Sequence, residues 1–298
     1  MATGLSTIVV GFDGSDPAQD ALALARSLAG ADTRLVVCCA HPPDPPVLEP
    51  IDDGSSMEAQ AALRLRGAHA ALGDDPRAAY VTRAASSAAA GLHEEAAAQE
   101  ADLLVVGSSS HGPLGRVLIG SVTRQALQAA PCAVAVAPLG LHDAPISPPR
   151  LIGVGIDGGP ESRAALRAAA ELARALGGGL RLIAVADLTT SGFGWALGGV
   201  YDDLRAAERA NLRRTLDAAA ATVPDGVPVE TVVLEGRAAD QLVAASAELD
   251  LLVVGSRNYG PVRRALLGTV SGRVADEAAC PVLVVPREGA ERPEPPTG

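Results

Sequence analysis

Two stretches of the chain set glycine and hydroxyl residues in the same order. The first runs Gly107-Ser108-Ser109-Ser110 and, nine residues later, Gly120-Ser121-Val122-Thr123. The second runs Gly255-Ser256-Arg257-Asn258 and, again nine residues later, Gly268-Thr269-Val270-Ser271. Each follows an apolar run that begins at an aspartate, Asp102 to Val106 and Asp250 to Val254. Such a run, bounded by turn residues, reads as a buried strand. A strand that ends in glycine, then hydroxyl residues opening a helix, turns backbone N–H groups toward an anion. The chemistry implied is the cradling of phosphate, at two nucleotide-sized sites.

The elements that must hold these loops repeat as well. Gly107 and Gly255, Gly120 and Gly268, Cys132 and Cys280, and Pro138 and Pro286 are each 148 residues apart. Asp13 and Asp157, at the ends of two earlier apolar runs, are 144 apart. A period this long means tandem domains rather than a solenoid. The 298 residues suit two domains of about 150 each. We place them at 1–138 and 150–287, with a proline-bearing linker at 139–149 and a Glu/Pro-rich tail, expected to be disordered, at 288–298.

In the first half, strands are expected at Ser6–Gly11, Arg34–Ala40, Tyr80–Thr82, Leu103–Val106 and Ala133–Ala137. Helices are expected from Ser15-Asp16-Pro17 through Ala29, and at Glu58–Leu72, Ala88–Gln99 and Val122–Ala129. His41 to Pro50, with five prolines, is a loop. The second half repeats the order, with strands at Leu151–Gly155, Leu180–Val185, Val229–Leu234, Leu251–Val254 and Val282–Val285. Its helices are expected at Pro160–Leu176, Asp202–Ala221, Ala238–Glu248 and Ser271–Ala278. Thr189 to Val200, glycine-rich and holding the single tryptophan, Trp195, reads as a loop beside the second site. Strands alternating with helices predict α/β domains, each a doubly wound parallel sheet with helices on both faces.

In such sheets ligands sit beyond the carboxyl ends of the strands, where the strand order reverses. Asp13 and Asp157 end the first strand of each half, and Gly107 and Gly255 end the fourth. If those strands are neighbours, each aspartate and glycine loop flank one crevice. The carboxylate would accept from a ribose hydroxyl or an adenine amine, while loop amides and the hydroxyls of Ser121, Thr123, Thr269 and Ser271 face phosphate. Arg116 and Arg264, also 148 apart, would offset phosphate charge. An aspartate after a strand equally serves as a turn or cap residue, and duplication copies turns as faithfully as sites.

Composition excludes several chemistries. The chain has no lysine, so neither a P-loop lysine nor a Schiff-base lysine exists. A net charge of -11 and 2% aromatic residues argue against nucleic-acid binding. The four cysteines form no Cys-x-x-Cys pair, and Cys38 and Cys39 should face opposite sides of one strand. The five histidines show no ligand spacing, so no metal site is expected. His111 lies in the first loop, but Tyr259 stands at its counterpart, and no catalytic base or nucleophile is identifiable. No basic-apolar leader and no apolar stretch of about 20 residues are present, so a soluble cytoplasmic protein is expected.

Together these residues resemble the universal stress protein family. The resemblance rests on Gly-two residues-Gly-nine residues-Gly-Ser/Thr in both halves, except at the second glycine. It rests also on Val10-Gly11-Phe12-Asp13 and Val154-Gly155-Ile156-Asp157, and on the closing Ala130-Pro131-Cys132 and Ala279-Cys280-Pro281. It covers nearly all of residues 5–287. It implies a five-stranded parallel sheet per domain, of the adenine-nucleotide α-hydrolase-like type. It also implies an ATP site in each, with or without Mg2+. Asp13 and Asp157 would meet the adenosine, with the second-strand ends near Cys38 to Ala40 and Val185. Gly107, Gly120, Ser121, Val122 and Thr123 would hold phosphate in the first site. Gly255, Asn258, Gly268, Thr269, Val270 and Ser271 would do so in the second. The resemblance further implies that Ala133–Ala137 pairs with Val282–Val285 as an intramolecular pseudo-dimer, and allows a homodimer.

Ser110 and Asn258 stand where the family has glycine. Asparagine enters the left-handed region more readily than serine, so the second site is expected to be the better ATP site. The function implied is a nucleotide-binding regulatory module of the stress response. The alternatives are a scaffold whose sites have decayed, or a slow ATPase.

Overall fold

The computed structural model describes residues 4–44, 56–108, 116–117, 119–128, 130–187, 199–256 and 268–286. The first half runs β1 (Thr7–Gly11), α1 (Asp16–Leu28), β2 (Arg34–His41), α2 (Met57–Leu72), β3 (Ala78–Ala84), α3 (Ala88–Ala98), β4 (Leu103–Gly107), α4 (Ser121–Leu127) and β5 (Ala133–Ala137). The second runs β6 (Leu151–Gly155), α5 (Pro160–Leu176), β7 (Gly179–Ala186), α6 (Gly199–Ala220), β8 (Val229–Glu235), α7 (Ala238–Ala245), β9 (Leu251–Gly255), α8 (Thr269–Glu277) and β10 (Val282–Val285).

The strands form one sheet of ten, in the order β3-β2-β1-β4-β5-β10-β9-β6-β7-β8. Pairing is parallel inside each half. The halves meet where β5 runs antiparallel to β10, with Val136 opposite Val282, Ala135 opposite Leu283 and Val134 opposite Val284. The expected pseudo-dimer is thus a continuous sheet, and its two sets of carboxyl strand ends point in opposite directions.

The apolar strands divide their side chains between two faces. Ile8, Val10 and Cys39 enter one core cluster, and Val9 and Cys38 enter the other. This is the period-two alternation of a strand whose faces are both covered by helices. Each cluster contains residues of both halves, such as Leu104 with Leu252 and Leu103 with Leu251. All four cysteines are buried, and none is in a disulfide.

Several boundaries differ from expectation. The strand expected at Tyr80–Thr82 extends over Ala78–Ala84, because every residue pairs with β2 even though its side chains are only half-buried. Helix α4 starts at Ser121, and α8 starts two residues early at Thr269, each capped by the preceding glycine. The helix expected through Glu248 ends at Ala245 and closes with a 3-10 turn, Ser246–Glu248. The loop expected at Thr189–Val200 falls mostly on residues 189–198, outside the described residues. Its last two residues, Gly199 and Val200, begin α6 instead. Glycine is well tolerated where a helix begins, so it does not mark a loop there. The expected tail also lies outside the described residues.

The linker is more ordered than its prolines suggest. Leu141–Asp143 makes a 3-10 turn, entered through Gly140 at φ 83. Asp20, completely buried on α1, anchors it. Its carboxylate accepts from Gly140 N at 2.9 Å, His142 N at 2.8 Å and His142 Nδ1 at 2.6 Å. Nothing in the sequence distinguished this aspartate from a surface helix residue.

The hydrogen bond to Asp20 raises the His142 pKa above its ordinary 6.5, with Asp143 and Asp16 adding in the same direction. A raised folded-state pKa gives stability that is complete below the unfolded value and is lost as pH rises through the folded one. The destabilisation caused by His142→Ala should therefore be larger near about pH 5 than near about pH 8, measured by urea denaturation at both. An equal penalty at the two pH values would show the latch to be insensitive to the imidazole's charge.

Candidate functional site

In each half the first strand lies between the second and the fourth, β1 between β2 and β4, and β6 between β7 and β9. This is the point of reversal that opens a crevice at the carboxyl ends of the strands. A cavity of about 310 Å3 occupies it in the first half, lined by Asp13, Gly107, Gly120, Ser121, Val122 and Thr123. A cavity of about 270 Å3 occupies it in the second, lined by Asp157, Gly255, Gly268, Thr269, Val270 and Ser271. Residues from both ends of the chain motif are thus brought together. The second-strand residues Cys38 and Ala40 line the first cavity and Val185 the second. Asn258, together with Ser110, His111, Tyr259 and Arg264, lies outside the described residues.

Local hydrogen bonds place each aspartate. Asp13 Oδ1 accepts from the backbone N and the hydroxyl of Ser15, and Asp157 Oδ1 accepts from Gly159 N at 2.8 Å. Both are Asx turns that lead into a helix beginning with proline in its first turn. The turn role raised from sequence is therefore real, and it fixes the carboxylate at the crevice.

Gly107 and Gly255 have a packing role of their own. A Cβ on Gly107 would lie 2.0 Å from Pro17 O, and one on Gly255 would lie 2.6 Å from Glu161 O. The first turns of α1 and α5 press directly onto the fourth strand of each half, and only glycine permits it. Gly107→Ala should cost at least about 2 kcal/mol by overpacking. Gly30→Ala, whose Cβ would meet only Thr33 Oγ1 at 3.5 Å, should cost far less in the same thermal denaturation assay.

The hydroxyls are not equivalent. Thr123 Oγ1 donates to Gly107 O at 2.7 Å, tying α4 to the end of β4. Ser271 Oγ donates to Gly268 O at 3.4 Å within the first turn of α8. Ser121 and Thr269, one residue after each glycine, are exposed. Neither Gly120 nor Gly268 supplies a side-chain cap, so the first amides of α4 and α8 have no side-chain acceptor of the usual kind.

Ser108 and Ser256 open the repeated loops but were not among the residues expected to hold phosphate. They follow Gly107 and Gly255 and donate their backbone N–H to Ala137 O and Val285 O. Among the described residues neither buried hydroxyl has a hydrogen-bond partner, and Ser108 lines the first cavity. Their common offset of 148 residues was the available signal. Buried hydroxyls are usually hydrogen-bonded, and one left without a partner costs free energy.

Arg116 is exposed and its carbonyl accepts from Leu139 N at 3.3 Å; its side chain is not part of the cavity wall. The Cys38 thiol is pushed up to about 12, chiefly by burial, and Cys280 likewise. Neither is a thiolate nucleophile. Among the described residues, no group of three or more His, Cys, Asp or Glu is arranged to hold a metal ion, and no helix is long and apolar enough to cross a membrane.

Fold and crevice define a class of protein: two fused α/β domains, each with a cleft at the carboxyl edge of its sheet. The family model described as "Universal stress protein family" matches residues 4–138 and again 149–286. The chain belongs to the universal stress protein family. A universal stress protein of Mycobacterium tuberculosis is 37% identical over 187 residues, covering 62% of this chain and 62% of that one. The match thus spans less than two thirds of that relative. A second from the same species is 29% identical over 298 residues, covering 94% of this chain and 99% of its own. Among solved structures, a functionally unknown protein of Pseudomonas aeruginosa superposes with a TM-score of 0.66 at 17% identity, over 96% of this chain and 94% of that one. A universal stress protein of Archaeoglobus fulgidus gives 0.61 at 16% identity, over 94% and 98%. At such identities these structures bear on the fold alone.

Replacing the orphaned hydroxyl should separate stability from site chemistry. Ser108→Ala is expected to leave the ligand-free chain as stable or up to about 1 kcal/mol more stable, whereas Thr123→Val should lose about 1 kcal/mol with its bond to Gly107. Urea midpoints of the two variants test this. A Ser108→Ala loss as large as that of Thr123→Val would mean the hydroxyl has an internal partner.

Proposed function

We propose that the chain is an adenine-nucleotide-binding regulatory module and that ATP is the ligand of both crevices. The observation that carries this reading is the twinned cavity. In each half a carboxylate at the end of the first strand faces, across the crevice, a glycine-hydroxyl helix start that carries no side-chain cap. A carboxylate accepts from ribose or adenine, and uncapped amides donate to phosphate. The buried hydroxyls of Ser108 and Ser256 add donors beside the loop. The volumes are about 310 and 270 Å3, one at and one just below the lower end of the roughly 300–1,000 Å3 range of ligand pockets.

Asp13 and Asp157 orient the nucleoside, and Ser121 and Thr269 donate to phosphate oxygens through their exposed hydroxyls. Thr123 acts by holding α4 against Gly107 rather than by giving its proton to the ligand. Any Mg2+ enters with the phosphates of the nucleotide. The second site binds more tightly, since asparagine enters the left-handed region more readily than serine and the family pattern has glycine at the positions of Asn258 and Ser110. Binding without turnover suits a switch, in which the ligand's presence selects one arrangement of the chain.

Isothermal titration of ATP into the purified chain tests this reading. Asp157→Ala should remove the tighter of two sites and Asp13→Ala the weaker, each with at least about a tenfold loss at its own site. Loss of the tight site in Asp13→Ala instead would reverse the assignment. No binding in the unmodified chain would leave the scaffold reading.

A further inference from the structure

The two cavities lie at opposite ends of the sheet, yet they are joined by a short run of contacts. Helix α4 begins in the first cavity and α8 in the second. Since β5 and β10 are antiparallel, the start of α4 comes beside the end of α8. Three observations mark that meeting. Val117 N, on the segment leading into α4, donates across the halves to Ala278 O at 2.9 Å. Ala278 is the residue that ends α8. Arg124, on α4, pairs with Asp276 on α8 at 3.3 Å. Val117 and Ile119 are buried in the same apolar cluster as Val274, Ala275 and Ala278.

The ion pair has no mirror image. The counterparts of Arg124 and Asp276, 148 residues away, are Gly272 and Gln128. The side of the seam nearer the first cavity therefore carries a charged strap that duplication did not copy. Neither Arg124 nor Asp276 lines a cavity, and both are partly exposed, at 49% and 29%. An exposed pair of this kind adds little to stability, but it ties the two helices at one defined point.

We infer that the two cavities are positively coupled through this α4–α8 seam, so that a nucleotide in one raises the affinity of the other. The inference rests on the nucleotide-binding reading given above. A ligand that draws Gly120 to Thr123 onto its phosphates holds the preceding backbone, and with it the Val117 N–H, against Ala278. Helix α8 is then fixed at its last turn while its first turn presents Thr269 to Ser271 to the second cavity. Either ligand thus orders an element that the other requires, and the effect is reciprocal by linkage.

The test uses the full chain and ATP as the probe. Titration calorimetry is run on the unmodified chain, on Asp13→Ala, on Asp157→Ala and on Arg124→Ala. The expected result is an isotherm of the unmodified chain that is steeper than the sum of the two single-site variants, with the second ATP binding about fivefold or more tightly. Arg124→Ala should bring that factor toward one while keeping two sites. Hydrogen exchange provides a second readout that needs no seam mutation. In Asp13→Ala, where ATP enters only the second cavity, exchange of the Val117 amide should slow on adding ATP. An isotherm equal to the sum of the variants overturns the coupling and leaves nucleotide binding intact. So does a Val117 amide indifferent to ATP, or saturation at one site. Absence of binding in the unmodified chain rejects the nucleotide reading, and the coupling with it.

Discussion

The antiparallel junction of β5 with β10 is the interaction on which the rest of the molecule depends. Three residue pairs join the halves there, Val136 with Val282, Ala135 with Leu283 and Val134 with Val284. Every one of these six residues is buried. The junction converts two edges that would otherwise present unpaired backbone groups into the middle of one sheet. It also makes the apolar layers continuous, and full burial of a valine or leucine is worth about 1.5–3 kcal/mol. The direction of pairing has a further effect: it turns the two crevices to opposite ends and brings the segment before α4 to the end of α8.

Around that junction, close packing decides what the site residues can do. Gly107 and Gly255 stand where the first helix of each half presses on the fourth strand. The same approach brings Asp13 and Asp157, at the mouth of that helix, beside the glycine-hydroxyl loops. Thr123 is occupied by Gly107 O, while the buried hydroxyls of Ser108 and Ser256 have no partner among the described residues. The site is therefore divided between residues that hold the crevice open and residues whose polar atoms remain to be satisfied.

Much of this was legible from residue order. Apolar runs ending in Asp13 and Gly107 read correctly as buried strands because a sheet covered on both faces needs no alternation. The Asx turn was legible from aspartate placed before a helix start. Other features were not. Asp20 sits in a helix among small and apolar residues, and only the return of the linker, about 120 residues later, shows what its carboxylate accepts. Gly199 read as loop because glycine is a poor helix former, yet it opens α6, where the penalty is small. The 3-10 ending at Ser246–Glu248 was missed since its composition continues that of α7.

By itself, the sequence determined the duplication, the α/β class, the family and the positions of the paired loops. The duplication, the class and the loop positions follow from spacing and from the period of apolar residues, which are local properties of a chain; the family follows from the resemblance of the motifs. The tertiary structure bore out the strand pairing between the halves that the resemblance implied, and it alone decided that Asp20 latches the linker. It alone decided which hydroxyls are spent internally and that Val117 reaches Ala278. The reason is the same in each case. A hydrogen bond or a close approach between residues far apart along the chain has no local periodicity, and exists only once strand order and direction have brought the partners together.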